Sequence, residues 1–215
     1  KNDSLKSDRD SIEVRDEMTG KLMEIYFVDG DIDSIRVSGM ATSFYNVKED
    51  SIIQGTNSAS GDTVVMKFFD KTLDVISVIG GTRGKFVPHN TNKSMDTTVV
   101  YAAEKIDYFV ADRETELIRK ASVEYGDAEL TAGIIRVIWE DNLLYAFPDD
   151  TTQTDSVDSS WPQMIQQGKE PFTGREMVYN IQTKRGRIFE GRTHMDDGYY
   201  YGENIKKKGK KTFYI

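Results

Sequence analysis

The 215-residue chain contains no cysteine, which removes disulfides, a thiolate nucleophile and zinc–thiolate ligation together. The redox compartment stays open on this criterion. Long apolar runs are lacking too. No window approaches the ~18 apolar residues of a membrane-spanning helix, and the opening KNDSLKSDRDS does not read as a signal peptide. Proline is scarce, at four residues, and low-complexity tracts are missing. With 38% hydrophobic and 30% charged residues, the chain reads as soluble and ordered. Positive charge is in deficit, with a net charge of −8. Nucleic-acid binding draws on clustered Lys and Arg through counterion release, so no nucleic-acid partner is expected. The one basic cluster, IKKKGKK at 205–211, reads as a solvated strand edge or turn. Helical periodicity is also scarce: only a turn near Met164 and Ile165 suggests it.

Period-two alternation is abundant instead. From Leu22 onward, IDSIRVSG, DTVVMKFF, LDVISVIGG, TTVVYAAEKIDYFV, ELIRKASVEYG, AELTAGIIRVIWE and NLLYAF follow one another, then EMVYNIQT, GRIFEGRT and YYYGENIKK. Turn dipeptides separate most of them, among them Asp29-Gly30, Gly80-Gly81, Gly126-Asp127 and Asp197-Gly198. This rhythm predicts an all-β antiparallel architecture. Residues 1–16 read as a flexible lead-in and 17–215 as one domain. FVDGDIDSIRVSG (27–39) and FFDKTLDVISVIG (68–80) repeat with Phe, Asp, Asp, Ile, Val and Gly identical, so a strand–turn–strand unit is reused. Ile35 then matches Ile76, Val37 matches Val78 and Gly39 matches Gly80. The stretch 147–171 holds three of the four prolines and breaks the alternation, as a surface insertion carrying Trp161 and Met164 would. The end, KKTFYI, stops inside an apolar alternation and suggests a piece of something longer.

Chemistry finds little purchase. His89 and His194 both lie next to turns, and His194 has Asp196 and Asp197 close by, but a metal site needs a third ligand at a defined spacing. DGDID (29–33) resembles the start of a calcium loop without its remaining ligands, and turn chemistry explains it equally well. SASGD (58–62) lacks a nucleophile elbow. GGTRGK (80–85) lacks the helix and Lys-Ser/Thr of a phosphate loop. No catalytic residue, cofactor or metal is expected. What remains is a continuous apolar face. It reads either as a closed sandwich core or as a groove, and small residues within it (Ala102, Ala121, Ala132, Ala146, Gly39, Gly80) favour room inside.

One stretch is more specific. ASVEYGDAELTAGIIRVIWEDNLLYA (121–146) fits the pattern apolar-x-Ala-x-Val-x-Tyr-Gly-Asp-x-x-Leu-x-Ala-x-x-Ile-x-Val, through Ala121, Val123, Tyr125, Gly126, Asp127, Leu130, Ala132, Ile135 and Val137. Tyr179, Asn180, Thr183, Gly186 and Ile188 form a second run, continued by RTHMDDGYYYGENIKK. In these motifs the chain resembles the OstA-like lipopolysaccharide-transport family, whose branches are LptA-like periplasmic bridge proteins and the N-terminal domain of LptD-like proteins. The likeness is good over 97–215 and looser over 22–96. It implies an open antiparallel β-jellyroll or β-taco of two facing sheets. The acyl chains of lipopolysaccharide (lipid A) would lie in its apolar groove, and catalysis would play no part. It also implies a periplasmic, outer-membrane-associated setting and edge-to-edge strand addition by other OstA-like domains. A membrane barrel, where the LptD-like branch has one, would lie beyond Ile215.

On this reading the groove is lined by Ile35, Val37, Ile76, Val78, Ile106, Tyr108, Ala121, Val123, Tyr125, Leu130, Ile135, Val137 and Trp139. Glu124, Arg136 and Glu140 should face water, and Arg192 and Lys206 are candidates to meet lipid phosphates. The alternative is a carbohydrate-binding or adhesive β-sandwich, with Trp161 and Tyr199–Tyr201 as a stacking platform.

Overall fold

The computed structural model describes residues 15–49, 52–92, 95–149, 160–195, 198–208 and 212–214. Among the described residues the chain forms fifteen strands in one antiparallel sheet; the third to the eighth follow one another as a meander, and beyond them the order departs from that of the sequence. β1 (Glu17–Thr19) and β2 (Leu22–Val28) lead into three long strands, β3 (Asp31–Glu49), β4 (Ile52–Phe69) and β5 (Thr72–Pro88). β6 (Val99–Phe109), β7 (Glu114–Tyr125) and β8 (Ala128–Ile138) follow. Then come β9 (Leu143–Phe147), β10 (Gln163–Gln166), β11 (Phe172–Thr173), β12 (Glu176–Asn180), β13 (Arg185–Met195), β14 (Gly198–Lys208) and β15 (Thr212–Tyr214).

Strands of 17 to 19 residues are about three times the usual length, and each is creased in the middle. Pairing breaks between Ser38 and Ala41, Ser60 and Thr63, Ile79 and Thr82, Ala102 and Lys105, and Ile118 and Ala121. At the break β3, β5 and β7 each spend two residues in the left-handed region: Gly39 and Met40 (φ 82° and 56°), Gly80 and Gly81 (87° and 55°), Arg119 and Lys120 (62° and 49°). These are β-bulges, which bend and twist a strand by inserting unpaired residues. Aligned strand after strand, they fold the sheet on itself. The two facing sheets expected from sequence are thus two layers of one sheet, joined along a crease.

The first layer holds β2, β9, β12, β15 and the crease-to-turn segments 31–38, 63–79, 105–118, 134–138, 185–189 and 204–208. The second holds β1, β10, β11 and the segments 41–49, 52–60, 82–92, 95–103, 121–132, 191–195 and 198–202. β9 and β10 are the two halves of one rung: β9 pairs with 134–138 of β8, and β10 with 128–131. The stretch expected as an insertion therefore contains a strand at 163–166 within the sheet. Met164 and Ile165, which suggested a helical turn, lie in β10 because both pair with β8. Residues 150–159 of that stretch, and 1–14 of the expected lead-in, lie outside the described residues.

The core lies between the layers. Val37, Val64, Leu117, Ile135, Met177 and Ile205 are buried almost completely. Small residues cluster on the inside of the crease. Ala121 pairs with Ala132 directly beside the bulge of β7, with Ala41, Ala103 and Ala146 at equivalent places, all buried. Gly133 sits at the crease of β8, where a Cβ would run into the backbone of Asp149. The expectation that small residues leave room inside is corrected here: an acute fold brings backbones together, and only Ala and Gly fit. Ala102 lies on the outer side, its neighbours Tyr101 and Ala103 being the buried ones.

Candidate functional site

The interior is assembled from the inward half of every strand. The thirteen residues expected to line a groove face it. Val37, Val78, Ile106, Ala121, Val123, Leu130, Ile135 and Val137 are buried in the core cluster, and Ile35, Ile76, Tyr125 and Trp139 pack partly buried against it. Tyr108 stacks on Tyr45 across the layers, with ring centroids 6.2 Å apart. Glu124, Arg136 and Glu140 are exposed, and Arg136 donates from Nε to Glu116 Oε1 at 2.8 Å on the outer face.

Opposite the crease the rows of turns form two lips. Between them lies an opening of about 170 Å³, lined from the second layer by Lys48, Gln54, Phe86 and Met95, and from the first by Arg113, Trp139 and Asn142. Behind it, sharing Tyr45, Asn57, Tyr108 and Trp139, a nearly closed apolar cavity of about 40 Å³ runs past Val78, Ile106, Val123 and Val137. A dry cavity near 150 Å³ holds a benzene-sized molecule, so the deep part as it stands holds no acyl chain. The layers must part to admit a chain of a dozen carbons.

The ring contacts that cross the seam among the described residues are non-directional. Tyr45 meets Tyr108, Phe86 meets Trp139 at 6.0 Å, and the Lys184 ammonium lies 6.0 Å from the Tyr125 ring. The turn backbone hydrogen bonds stay within one lip, as Ile181 N to Asn142 O and His89 N to Gln54 O do. Polar groups inside are tied to their own layer. Trp139 Nε1 donates to Thr115 Oγ1 at 2.8 Å. Asn57 Nδ2 donates to Tyr45 Oη at 2.5 Å, and Tyr101 Oη donates to Asn57 Oδ1 at 2.6 Å. Burial raises the Tyr45 phenol above its ordinary range and pushes Tyr101 up to about 12, so both stay neutral donors and acceptors. Among the described residues a cation faces inward. Lys207 is buried with its ammonium 5.3 Å from the Tyr179 ring, and burial lowers its pKa.

The sequence reading missed Tyr45, Asn57, Phe86, Tyr101, Leu117 and Leu144 as lining residues. The signal was available in the alternation: Val99, Tyr101 and Ala103 share a face in β6, and the phase flips at Glu104 so that Ile106 and Tyr108 continue it.

The apolar interior reaches one end of the roll uncovered. β2 pairs only with β3 among the described residues, Met23 opposite Val37 and Ile25 opposite Ile35, yet Met23 and Ile25 are about half exposed. The other features weighed from sequence have ordinary roles. Asp31 pairs with Lys71 at 3.3 Å, and the His194 ring packs 4.7 Å from that of Tyr199. Asp196 and Asp197 lie outside the described residues. The Arg192 guanidinium lies 4.8 Å from the Trp161 ring, and Tyr199 and Tyr201 are exposed.

No protein-family model matches the chain, and no curated protein matches it. Among solved structures it is similar to LptH of Pseudomonas aeruginosa, described as the LptA homologous periplasmic component of the conserved lipopolysaccharide transport device. The TM-score is 0.55 at 18% identity, over 72% of this chain and 96% of that one. The fold is thus shared where few side chains are. This chain has the LptA-like β-jellyroll fold.

Proposed function

We propose that the chain is a non-catalytic carrier domain of lipopolysaccharide transport, which holds lipid A acyl chains between its two layers on their way to the outer membrane. The observation that carries this reading is the predominantly apolar inward face, open at a lip and at the β2 end. The fold shared with LptH supports it, as do the motifs at 121–137. Non-directional holding suits a lipid that must move on: each buried methylene contributes about 0.8 kcal/mol with no polar clamp to break. The groove is lined by Ile35, Val37, Ile76, Val78, Ile106, Tyr108 and their neighbours from Ala121 to Trp139. The setting is the periplasm, beside the outer membrane. The exposed β2 edge, with Met23, Ile25 and Phe27 uncovered, suits strand addition by another domain of this fold, which would prolong the apolar face from one domain to the next. Both an LptA-like bridge and the N-terminal domain of an LptD-like protein fit these features.

Equilibrium binding of hexa-acylated lipid A, set beside the same glycolipid stripped of its acyl chains, tests the proposal. Affinity that disappears with the acyl chains supports the carrier. Affinity retained by the deacylated sugar overturns it, and would instead favour a glycan platform at Trp161 and Tyr199–Tyr201.

A further inference from the structure

The outer face of the first layer carries a second feature, unrelated to the apolar interior. Between β12, β13, β14 and β15 runs a trough of about 380 Å³, lined by Arg185, Arg187, Lys206 and Lys208, with Leu143 and Val178 along one side and Tyr214 along the other. Register places the cations as a square. Arg187 lies directly opposite Lys206, and the same register continued sets Arg185 beside Lys208. Strands about 4.8 Å apart with a two-residue repeat of about 6.7 Å put four positive side chains on a patch roughly 5 by 7 Å. All four are exposed, and none takes part in an ion pair among the described residues.

This arrangement is costly for the sheet, because like charges directly opposite on antiparallel strands repel. It is also conspicuous in a chain of net charge −8, where carboxylates outnumber cations 36 to 28. Protecting an edge from aggregation, a common role for strand lysines, does not explain it. Arg185 and Arg187 lie on β13, which has β12 on one side and β14 on the other, and Lys206 and Lys208 are themselves paired to β15. Two arginines can each offer paired N–H donors to one anion while the lysines add point charges, a combination matched to phosphate oxygens. Apolar walls beside the square suit the glycerol or acyl root of a head group.

We propose that Arg185, Arg187, Lys206 and Lys208 form a binding site for a phosphate group, of the kind borne by a phospholipid head group or a free phosphoanion. The site does not depend on lipid between the layers, and its readouts are separate. Two arms distinguish the sources: calorimetric titration with inorganic pyrophosphate, and co-sedimentation with vesicles of phosphatidylglycerol in phosphatidylcholine against phosphatidylcholine alone. The variant is R187Q with K206Q. R83Q with K85Q, at exposed positions on the outer face of β5, takes net charge through the same change of −2, from −8 to −10. Binding should weaken about fivefold per cation removed, about 25-fold for the pair. The β5 variant should bind as the parent does. Neutralising facing like charges should not lower the melting temperature, so a loss of binding cannot be read as unfolding. Phosphatidylglycerol-dependent sedimentation assigns the site to head groups, and pyrophosphate binding without sedimentation assigns it to a free phosphoanion. Absence of both, or an equal loss in the β5 variant, overturns the proposal.

Discussion

Linking the lips should cap the length of acyl chain that the roll accepts. The opening and the deep cavity together offer about 210 Å³. Taking the benzene-sized cavity of about 150 Å³ as a gauge, each carbon needs about 25 Å³, so about eight carbons fit without movement and a dozen need about 300 Å³. Opening separates two aromatic pairs across the seam, Tyr45–Tyr108 and Phe86–Trp139, at about 1–3 kcal/mol together. Burying twelve methylenes returns about 10 kcal/mol, so opening wins. Because the chain has no cysteine, Lys48→Cys with Glu140→Cys gives one pair of thiols, on opposite lips of the opening. Packed layers lie about 10 Å apart, too far for a disulfide, so a short bis-maleimide is the appropriate link. The readout is quenching of Trp139 by brominated acyl chains in a Trp161→Phe background. Linked protein should bind an eight-carbon chain as unlinked protein does. It should lose the contribution of the four carbons that no longer fit, about 3 kcal/mol or ~200-fold, for a twelve-carbon chain. If affinity keeps rising with chain length after linking, the seam is not the entrance and the reasoning fails.

Further outcomes follow from the interior and the crease. Ile135→Ala, at a fully buried position, should cost about 2–5 kcal/mol in urea unfolding; a change under 1 kcal/mol would mean the site is not packed. Gly80→Ala places a Cβ at φ 87° against the Asp62 side chain and should cost about 1–2 kcal/mol, a fall of roughly 2–8 °C in a chain of this size. An unchanged melting temperature would show that the bulge does not need glycine. Burial raises the Tyr45 and Tyr101 phenols above their unfolded value near 10. Their contribution is therefore full below pH 10 and is lost as pH climbs towards 12. The urea midpoint of the parent should fall through that window more steeply than that of Tyr101→Phe; identical slopes would remove Tyr101 as a cause.

Much of this fold was legible because strand periodicity and turn dipeptides are local signals. The repeat at 27–39 and 68–80 even marked the crease, since its matched Gly39 and Gly80 are the left-handed residues of the bulges of β3 and β5. The third bulge, Arg119-Lys120, was hidden because neither residue type announces a positive φ. Phase flips concealed half of the lining. In β4, β6 and β8 a single unpaired residue at the crease moves the inward face from one parity to the other, so Ala59 and Val64 share the interior, as do Leu130 and Ile135. The rung formed by β9 and β10 was broken up in sequence by the polar stretch at 148–162, which separates partners that pair with the same strand. The cationic square was written in the sequence as well, yet Arg185, Arg187, Lys206 and Lys208 converge only through the register of β13 with β14, which no single-strand pattern specifies.

Whether lipid enters between the layers is tested most directly by neighbouring positions of opposite facing. Val137 is buried inside β8, and Arg136, the residue before it, points outward to Glu116. A photo-crosslinking side chain at each in turn, exposed to lipopolysaccharide, should label lipid from position 137 and not from 136. Labelling from 136 alone, or from neither in a folded protein, would contradict a lipid-filled interior.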